Sequence, residues 1–350
     1  WYFQWAFCSA AATIVSGGVA ERVNFPGYAI FSFFMTSFIY PIVVAWTWGY
    51  GWLSTVNNIG TYDFAGSGIV HMTGGIGALM GAAIAGPRHG RFADMTVLKR
   101  LGESPEDFNP HSIVLIVFGT FALWFGWYGF NCGSTLAMHT TEQGHLAAQV
   151  AMNTTIAAAT GGMFVFLFRF ILIGKYDVVG FCNGILAGLV SITAGCANME
   201  CGSAAGTAAI GAVVYQMFSS ILRACKVDDP VDAFPVHGAC GAWGVLAAAF
   251  FDWGDNLGLK YINKGSFGCE TDNVGNCAEG LAKHMIANAF IEVGMIFVWV
   301  AGTCGLIFGV LRCLGFLVAA QDVQEQGFDI LRHSPSKAYD LGADEPHTSI

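Results

Sequence analysis

Charged residues are scarce in this sequence. Only 11% of its 350 residues are Asp, Glu, Lys or Arg, whereas 55% are hydrophobic and the mean hydropathy is +0.56. A soluble domain of this length cannot bury so much apolar surface, which favours a chain that crosses a lipid bilayer several times. The basic residues form no cluster, and this excludes the usual kind of nucleic-acid-binding surface.

Cysteine spacing gives no sign of a metal site or of a disulfide framework. The 11 cysteines are scattered, without a CxxC pair or a zinc-like Cys/His arrangement. Cys269 and Cys277 share a polar, glycine-rich loop, where a disulfide and two free thiols are equally compatible with the sequence. The sequence indicates no cofactor and no metal.

Two further absences bear on the kind of protein. Lysine is missing from the centre of every apolar run, which excludes a retinal Schiff base and with it a rhodopsin. Methionine is missing from position 1, where Trp1 already begins an apolar run. We therefore expect a chain that is truncated at its N-terminus and has no signal peptide to remove.

Long apolar runs, separated by Gly, Pro and charged residues, dominate what remains. A membrane-crossing helix needs about 20 mostly apolar residues, so these runs predict an all-α membrane bundle with nine transmembrane helices. Their approximate limits are 2–20, 26–48, 63–86, 111–132, 145–173, 178–198, 203–224, 232–252 and 285–317. We expect a transmembrane domain at 1–318 and a polar tail at 319–350.

Lysine and arginine predict the orientation of these helices, because positive residues concentrate in cytoplasmic loops. With residue 1 outside, the inside loops and the tail hold all but three of the 15 basic residues. Those three are Lys260, Lys264 and Lys283. The C-terminal tail is then cytoplasmic.

Two histidines lie deep in the predicted spans. His71 follows Asp63, a suitable helix N-cap, by eight residues, or about 12 Å along a helix, near the middle of a core about 30 Å thick. His237 comes from the opposite face behind Pro235, and an extended segment at 232–236 would bring it to a similar depth. For one deep histidine, structural hydrogen bonding and a transport role are equally compatible with the sequence.

Together, however, the two imidazoles favour a pore for a small polar molecule. Two adjacent neutral rings share one hydrogen bond, leave one donor and one acceptor facing an apolar channel, and can relay protons. No ring of carboxylates or carbonyls is indicated that would replace the hydration shell of a metal cation. Glu292, also inside a predicted span, is expected near the outer end of its helix rather than in the pore.

The run from Asp63 to Gly75 resembles the signature of the ammonium transporter (Amt/MEP/Rh) family, particularly its plant-type Amt branch. Further matching runs follow in family order over nearly the whole chain: Phe3–Phe7, Ala20–Arg22, Gly126–Asn131 and Asp228–Gly238. The resemblance implies family helices three to eleven of eleven, an inverted-repeat fold, and a homotrimer with one pore in each subunit.

The resemblance also implies roles for residues at the outer end of the pore. Phe7, Trp48 and Ser134 match an external ammonium site, where aromatic faces and a hydroxyl bind the cation. Phe7 and Phe130 match a stacked phenyl gate below that site, and Asp63 matches an acidic residue near the entrance. We interpret Asp63 mainly as a structural cap with an electrostatic contribution.

The expected function is ammonium transport rather than enzymatic catalysis. NH4+ binds at the outer mouth, loses its proton, and crosses as NH3, with or without a separate proton, beside His71 and His237, which match the family's paired pore histidines. The expected partners are ammonium or ammonia, the lipid bilayer and other copies of the chain, in a plasma membrane. The alternatives are an ammonium receptor with little flux, an Rh-type gas channel, and a redox enzyme with haem on the two histidines.

Overall fold

A computed structural model describes residues 1–94, 108–251 and 281–332. These ranges are helical, and their single β-bridge, between Val23 and Val318, belongs to no strand. The helices are α1 (Tyr2–Val19), α2 (Phe25–Trp46), α3 (Ser67–Ala85), α4 (Ile113–Gly133), α5 (Thr141–Ile173), α6 (Val178–Thr193), α7 (Cys201–Ala224), α8 (Phe234–Phe250), α9 (Leu281–Cys313), α10 (Gln321–Gln326) and α11 (Phe328–Leu331). Cys269 and Cys277, for which the sequence leaves a disulfide and two free thiols equally open, lie outside the described residues.

Six helices of the described ranges are long and apolar enough to cross a membrane, namely α2, α3, α4, α5, α7 and α9. The other three predicted spans coincide with α1, α6 and α8, of which α6 and α8 are shorter apolar helices. The prediction of an all-α membrane fold is confirmed. The count of nine spans and the inverted repeat stay predictions.

Close contact between helices depends on small residues. Gly188 of α6 lies so near α5 that a methyl group in its place would overlap the carbonyl of Ala157, and Gly161 of α5 is equally close to the carbonyl of Gly184. Small residues at such crossings let two backbones approach, which replaces the hydrophobic driving force that is absent between helices in lipid. The two helices therefore form a tightly packed pair.

Phe130 of α4 joins two buried apolar clusters. One cluster is formed by α1, α2, α3 and α9 and contains Phe7, and the other is formed by α4 to α8 and contains Trp127. Phe130 packs against both of them. Phe7, Phe130 and Trp127 therefore lie where these two clusters meet.

Both α3 and α8 begin with a π-helical turn, Ser67–Met72 in α3 and Phe234–Ala239 in α8. The sequence predicts that 232–236 is not regular helix and favours an extended segment there; the extended geometry is wrong, whereas the departure from a regular α-helix is present as this π-helical turn. The Asp229 carboxylate accepts the backbone N–H groups of Ala233 and Phe234, at 2.9 and 2.8 Å, and so begins a helix there. Pro235 is compatible with this first turn, because a backbone N–H at this position would have no acceptor inside the helix and proline has none to satisfy.

Arg22 fastens together the bundle end at which α1 and α3 finish. Its side chain is fully buried and donates hydrogen bonds to four backbone carbonyls. The acceptors are Gly18 in the last turn of α1, Ala20 just after it, Gly86 after α3, and Asp228 before α8. This end is opposite to the one at which α3 begins, so α3 and α8 start at opposite ends of the bundle.

The first residues of the tail return to the same end. The backbone N–H of His89, just after α3, donates to Gln324 Oε1 of α10 at 3.2 Å, and His89 Nδ1 lies 3.2 Å from Glu325 Oε1. The side-chain amide of Gln324 donates through Nε2 to the backbone carbonyl of Ala319 at 3.0 Å. Hence α10 lies beside the loop that follows α3.

Candidate functional site

His71 and His237 face each other inside the bundle. Their Nδ1 atoms are 3.2 Å apart, and their ring centroids are separated by 5.2 Å with planes inclined by 21°. One Nδ1–H donates to the other Nδ1, so one neutral ring keeps its Nε2 as an acceptor and the other carries its proton on Nε2. His71 is buried and its Nε2 makes no hydrogen bond with a described residue, whereas His237 is half-buried.

The backbone at Gly66 explains how His71 is aimed. Gly66 has φ +102°, a conformation that side chains disfavour, and a Cβ there would collide with Val70 and crowd Trp48. Its carbonyl accepts N–H groups from both Val70, at 3.0 Å, and His71, at 3.1 Å. The second bond spans five residues, which widens the turn; such turns are frequent at functional sites.

Trp127 of α4 forms one wall against His71, and sequence reasoning missed it. The centroids of the indole and imidazole rings are 4.9 Å apart, and their planes are inclined by 11°. Trp127 Nε1–H donates to the Thr193 hydroxyl at 2.9 Å, which fixes the indole in place. With 10 Trp in the chain, composition alone gives no reason to choose this one.

The residues of the implied gate are in contact, with a different ring geometry. The centroids of Phe7 and Phe130 are 4.1 Å apart and their planes are inclined by 58°, so the rings are tilted rather than stacked in parallel. Phe130 also stacks on His71, with centroids 5.1 Å apart. The two phenyl rings therefore lie directly next to the histidine pair.

Trp48 and Ser134 flank this pair of rings. Trp48 meets Phe7 edge to face, with centroids 5.9 Å apart, and its Nε1–H donates to the Asp63 carbonyl at 2.8 Å. Ser134 lies one helical turn beyond Phe130, to whose carbonyl its hydroxyl donates at 2.9 Å. The serine oxygen keeps its acceptor capacity, which suits a cationic N–H donor beside aromatic faces.

Asp63 is not a pore-lining group but a complete cap for the start of α3. Its Oδ1 accepts the N–H groups of Gly66 and Ser67, and its Oδ2 accepts those of Gly68 and Ile69, all at 2.8 to 2.9 Å. These four bonds use both carboxylate oxygens. Burial raises the pKa of the Asp63 carboxyl, and the four N–H groups oppose that rise.

Asp229 plays the corresponding part before α8, with Asp228 next to it, and sequence reasoning did not assign this role. Burial raises the pKa of Asp229 to about 6, against the effect of its two backbone N–H donors. Asp228 accepts hydrogen bonds from Arg88 through both of its oxygens, at 2.8 and 3.0 Å. Burial would raise the pKa of Asp228, but the bonds from Arg88 hold it below its usual value.

Glu292 belongs to α9 and is fully buried, near the Asp63 carboxylate and the segment that leads into α3. Within the described ranges, no ring contact or hydrogen bond joins it to His71 or His237. Its expected place near the outer end of the helix stays a prediction.

Comparison with known proteins gives a family match over almost the whole chain. The model of the Ammonium Transporter Family matches residues 1–339. Ammonium transporter 1 member 3 of Solanum lycopersicum is 36% identical over 98% of this chain and 75% of the relative. Ammonium transporter 1 member 1 of Arabidopsis thaliana is also 36% identical, over 99% of this chain and 70% of that protein.

Solved structures of similar shape agree with these sequence relatives. A structure described as a sensor Amt protein has a TM-score of 0.78 and 29% identity, covering 94% of this chain and 75% of its own. The crystal structure of Saccharomyces cerevisiae Mep2 has a TM-score of 0.73 and 26% identity, covering 91% of this chain and 68% of its own.

Proposed function

Because the chain belongs to the ammonium transporter family, we propose that it moves ammonium by binding NH4+ outside, releasing its proton, and conducting NH3 past His71 and His237. The observation that carries this mechanism is the 3.2 Å contact between the two Nδ1 atoms, directly below the aromatic pair of Phe7 and Phe130. The family consists of membrane transporters rather than enzymes.

The outer step is recruitment of the cation. Faces of Phe7 and Trp48 attract NH4+ by cation–π interaction, worth up to about 2 kcal/mol in a desolvated site. The Ser134 oxygen accepts one of its N–H groups. An attraction of this size concentrates the ion at the mouth and still allows it to leave.

The next step is loss of the proton at the aromatic constriction. A bare cation in an apolar medium is disfavoured by up to tens of kcal/mol, whereas the neutral amine is disfavoured far less. Desolvation between Phe7 and Phe130 therefore shifts the equilibrium from NH4+ toward NH3 and a proton. The proton either returns to the outer solution or follows a separate path.

Beyond the constriction, the histidine pair supports passage of NH3. The ring with a free Nε2 accepts an N–H of ammonia, and the ring with a protonated Nε2 donates to the ammonia lone pair. Stacking on Trp127 and Phe130 supports a fixed orientation of His71. A small polar molecule then finds one donor and one acceptor in an otherwise apolar passage.

Uptake of labelled methylammonium by cells that express the chain tests this proposal. His71→Ala and His237→Ala should each change the rate or the selectivity of uptake at equal protein level in the membrane. The exposed outer residue His139 gives a matched control, and His139→Ala should behave like the wild type. Wild-type rates and selectivity in both pore variants would contradict the assignment.

An ammonium sensor is the second candidate function, favoured by the similarity to the structure described as a sensor Amt protein. In a sensor, the outer site binds the cation without appreciable flux and the tail transmits the signal. Purified protein in sealed vesicles separates the two functions: a transporter alkalinises or loads the vesicle interior, whereas a sensor binds methylammonium and leaves the interior unchanged.

The same proposal includes the setting of the protein. We place it in a plasma membrane as a homotrimer, with one pore in each subunit and a cytoplasmic tail. Support for the tail orientation comes from its contacts with the loop after α3, since that loop carries Arg88 and Arg91 and positive loops face the cytoplasm. Accessibility of an introduced cysteine in the tail, with and without permeabilisation, tests the orientation.

A further inference from the structure

Glu292 is a buried carboxyl group that the proposed transport path does not use. Its side chain is 0% exposed, and neither Oε atom makes a hydrogen bond of ordinary geometry with a described residue. The Thr61 hydroxyl is within interaction range, and the neighbouring charge is that of Asp63. A buried carboxylate with so little compensation is strongly disfavoured relative to the neutral acid.

The two carboxyl groups differ sharply in what surrounds them. Asp63 accepts four backbone N–H groups, which stabilise its anionic form. Glu292 has no comparable set of donors. Two coupled carboxyl groups in a dry site avoid ionising together, so the proton of this pair resides on Glu292 while Asp63 remains the anion.

The position of Glu292 connects it to the outer cation site. Asn288, one turn earlier on α9, donates to the carbonyls of Val56 and Gly60, at 3.0 and 2.6 Å, and so holds the loop before Asp63. Trp48 in turn donates to the Asp63 carbonyl. A displacement of the Thr61–Asp63 segment relative to α9 would therefore also move the indole of Trp48, which is proposed to bind NH4+.

The remaining titratable groups near this pair are neutral side chains. Tyr40 of α2 and Cys196, just after α6, are within electrostatic range of Asp63, and both are buried. From α8, the nearby side chain is the apolar Val245, which lies close to Gly68 beside Asp63. No cationic side chain of the described ranges appears among the interactions of Glu292, so a proton is its available counter-charge.

We propose that Glu292 is a positioning residue for the outer cation site and that it functions only as the protonated acid. As a neutral group it packs against the Thr61–Asp63 segment and leaves Trp48 in place. As an anion it repels the Asp63 carboxylate, displaces the segment and weakens NH4+ binding at Trp48. This inference rests on the proposed function of the outer site, which it deepens by naming the group that makes the site sensitive to pH.

The pH dependence of methylammonium transport by the full chain tests the proposal. Glu292→Gln keeps the shape and the neutral state, so it should transport like the wild type at acidic pH. Alkaline pH should ionise Glu292 and so raise the wild-type KM several-fold, whereas the KM of Glu292→Gln should stay constant. The concentration of the methylammonium cation is held equal at each pH, and Glu142→Gln, at an exposed carboxylate in the first turn of α5, is the matched control.

Two results of the transport assay would overturn the proposal. One is loss of transport in Glu292→Gln at a normal membrane level, because the anion would then be required. The other is the same pH profile in the variant and the wild type.

Infrared difference spectroscopy between the wild type and Glu292→Gln gives a readout that does not need transport. A protonated carboxyl band at neutral pH that the variant lacks is expected, and its absence would contradict a protonated Glu292. A wild type that shows this band but transports nothing would refute the proposed function of the chain while leaving the protonation of Glu292 intact.

Discussion

The segments that carry the two histidines have the same local structure, but they differ in the number of hydrogen bonds that stabilise it. In each, an aspartate eight residues before the histidine accepts backbone N–H groups, and the histidine lies in a π-helical turn: Asp63 with His71, and Asp229 with His237. Asp63 receives four such bonds, whereas Asp229 receives two. The two segments enter from opposite ends of the bundle.

The surroundings of the two aspartates differ as well. Asp63 is buried beside the uncharged loop that Asn288 supports, whereas Asp229 follows Asp228, which pairs with Arg88 and holds Arg22 through its carbonyl. The Asp63 carboxylate is therefore held by backbone donors beside an uncharged loop, whereas the Asp229 cap adjoins a network of charged side chains. Two like residues are thus held by unlike supports, and each support predicts its own sensitivity to substitution.

Removing the two aspartate caps should have the largest effects on stability, and Asp63→Ala should be more destabilising than Asp229→Ala. Asp63→Ala leaves four buried N–H groups without an acceptor, and each such group costs about 1–3 kcal/mol, so most of the protein should fail to fold or to transport. Asp229→Ala orphans only two and should be the milder change. Thermal unfolding in detergent and the yield of folded protein measure both.

The control for this ranking is an aspartate that caps a helix away from the pore. Asp177 accepts the N–H of Gly180 at the start of α6, at 2.8 Å, and is partly exposed. Asp177→Ala should lower the stability by less than Asp63→Ala or Asp229→Ala. If Asp229→Ala proves more damaging than Asp63→Ala, the number of backbone donors is not what distinguishes the two ends.

Sequence reasoning reached the positions of the caps and histidines more easily than their geometry. Depth along a helix singled out His71, and Pro235 drew attention to the start of α8. The spacing of residues does not reveal whether a turn closes over four or five residues, so the departure from regular helix at 232–236 is predictable from Pro235 but its form, a π-helical turn, is not. The contacts of Asp229 with the N–H groups of Ala233 and Phe234 are local, but they depend on the conformation of the folded backbone.

Trp127 stacks on His71, and within the described residues no ring contact joins it to His237, so its removal should make the surroundings of the two histidines more alike. Trp127→Leu deletes the indole that stacks on His71 at 4.9 Å, and Trp127→Phe keeps a ring but leaves Thr193 without its donor. We expect Trp127→Leu to reduce methylammonium transport about tenfold, since a contact worth about 1.4 kcal/mol is lost. Trp127→Phe should fall between it and the wild type.

A tryptophan of the same helix serves as the comparison. Trp124 lies near the same apolar cluster as Trp127, but no ring contact joins it to His71 within the described residues. Trp124→Leu should therefore leave transport much closer to the wild type. Equal losses in Trp124→Leu and Trp127→Leu would show that the stacking on His71 has no special role.

Trp127 and Glu292 show why part of the site escapes a reading of the sequence. Aromatic residues make up 14% of the chain, so nothing in the composition marks the one that meets an imidazole. Glu292 is conspicuous as a carboxyl group inside a span, but its neighbours Thr61 and Asp63 are more than 200 positions away in the chain. Contacts of that range follow only from the packed bundle.

The smallest expected effect is a pH dependence that belongs to the Asp229 end. Because burial raises the folded-state pKa of Asp229 to about 6, its proton is held more tightly in the folded than in the unfolded chain. The resulting stability is present below the unfolded pKa of about 3.9 and is lost as pH rises through about 6. Its size should be on the order of 1 kcal/mol, since solvent reaches part of this carboxyl. The thermal midpoints of the wild type and Asp229→Asn should therefore differ least at the acidic end of that pH window and most at its upper end. Parallel curves would show that Asp229 ionises alike in the folded and the unfolded chain.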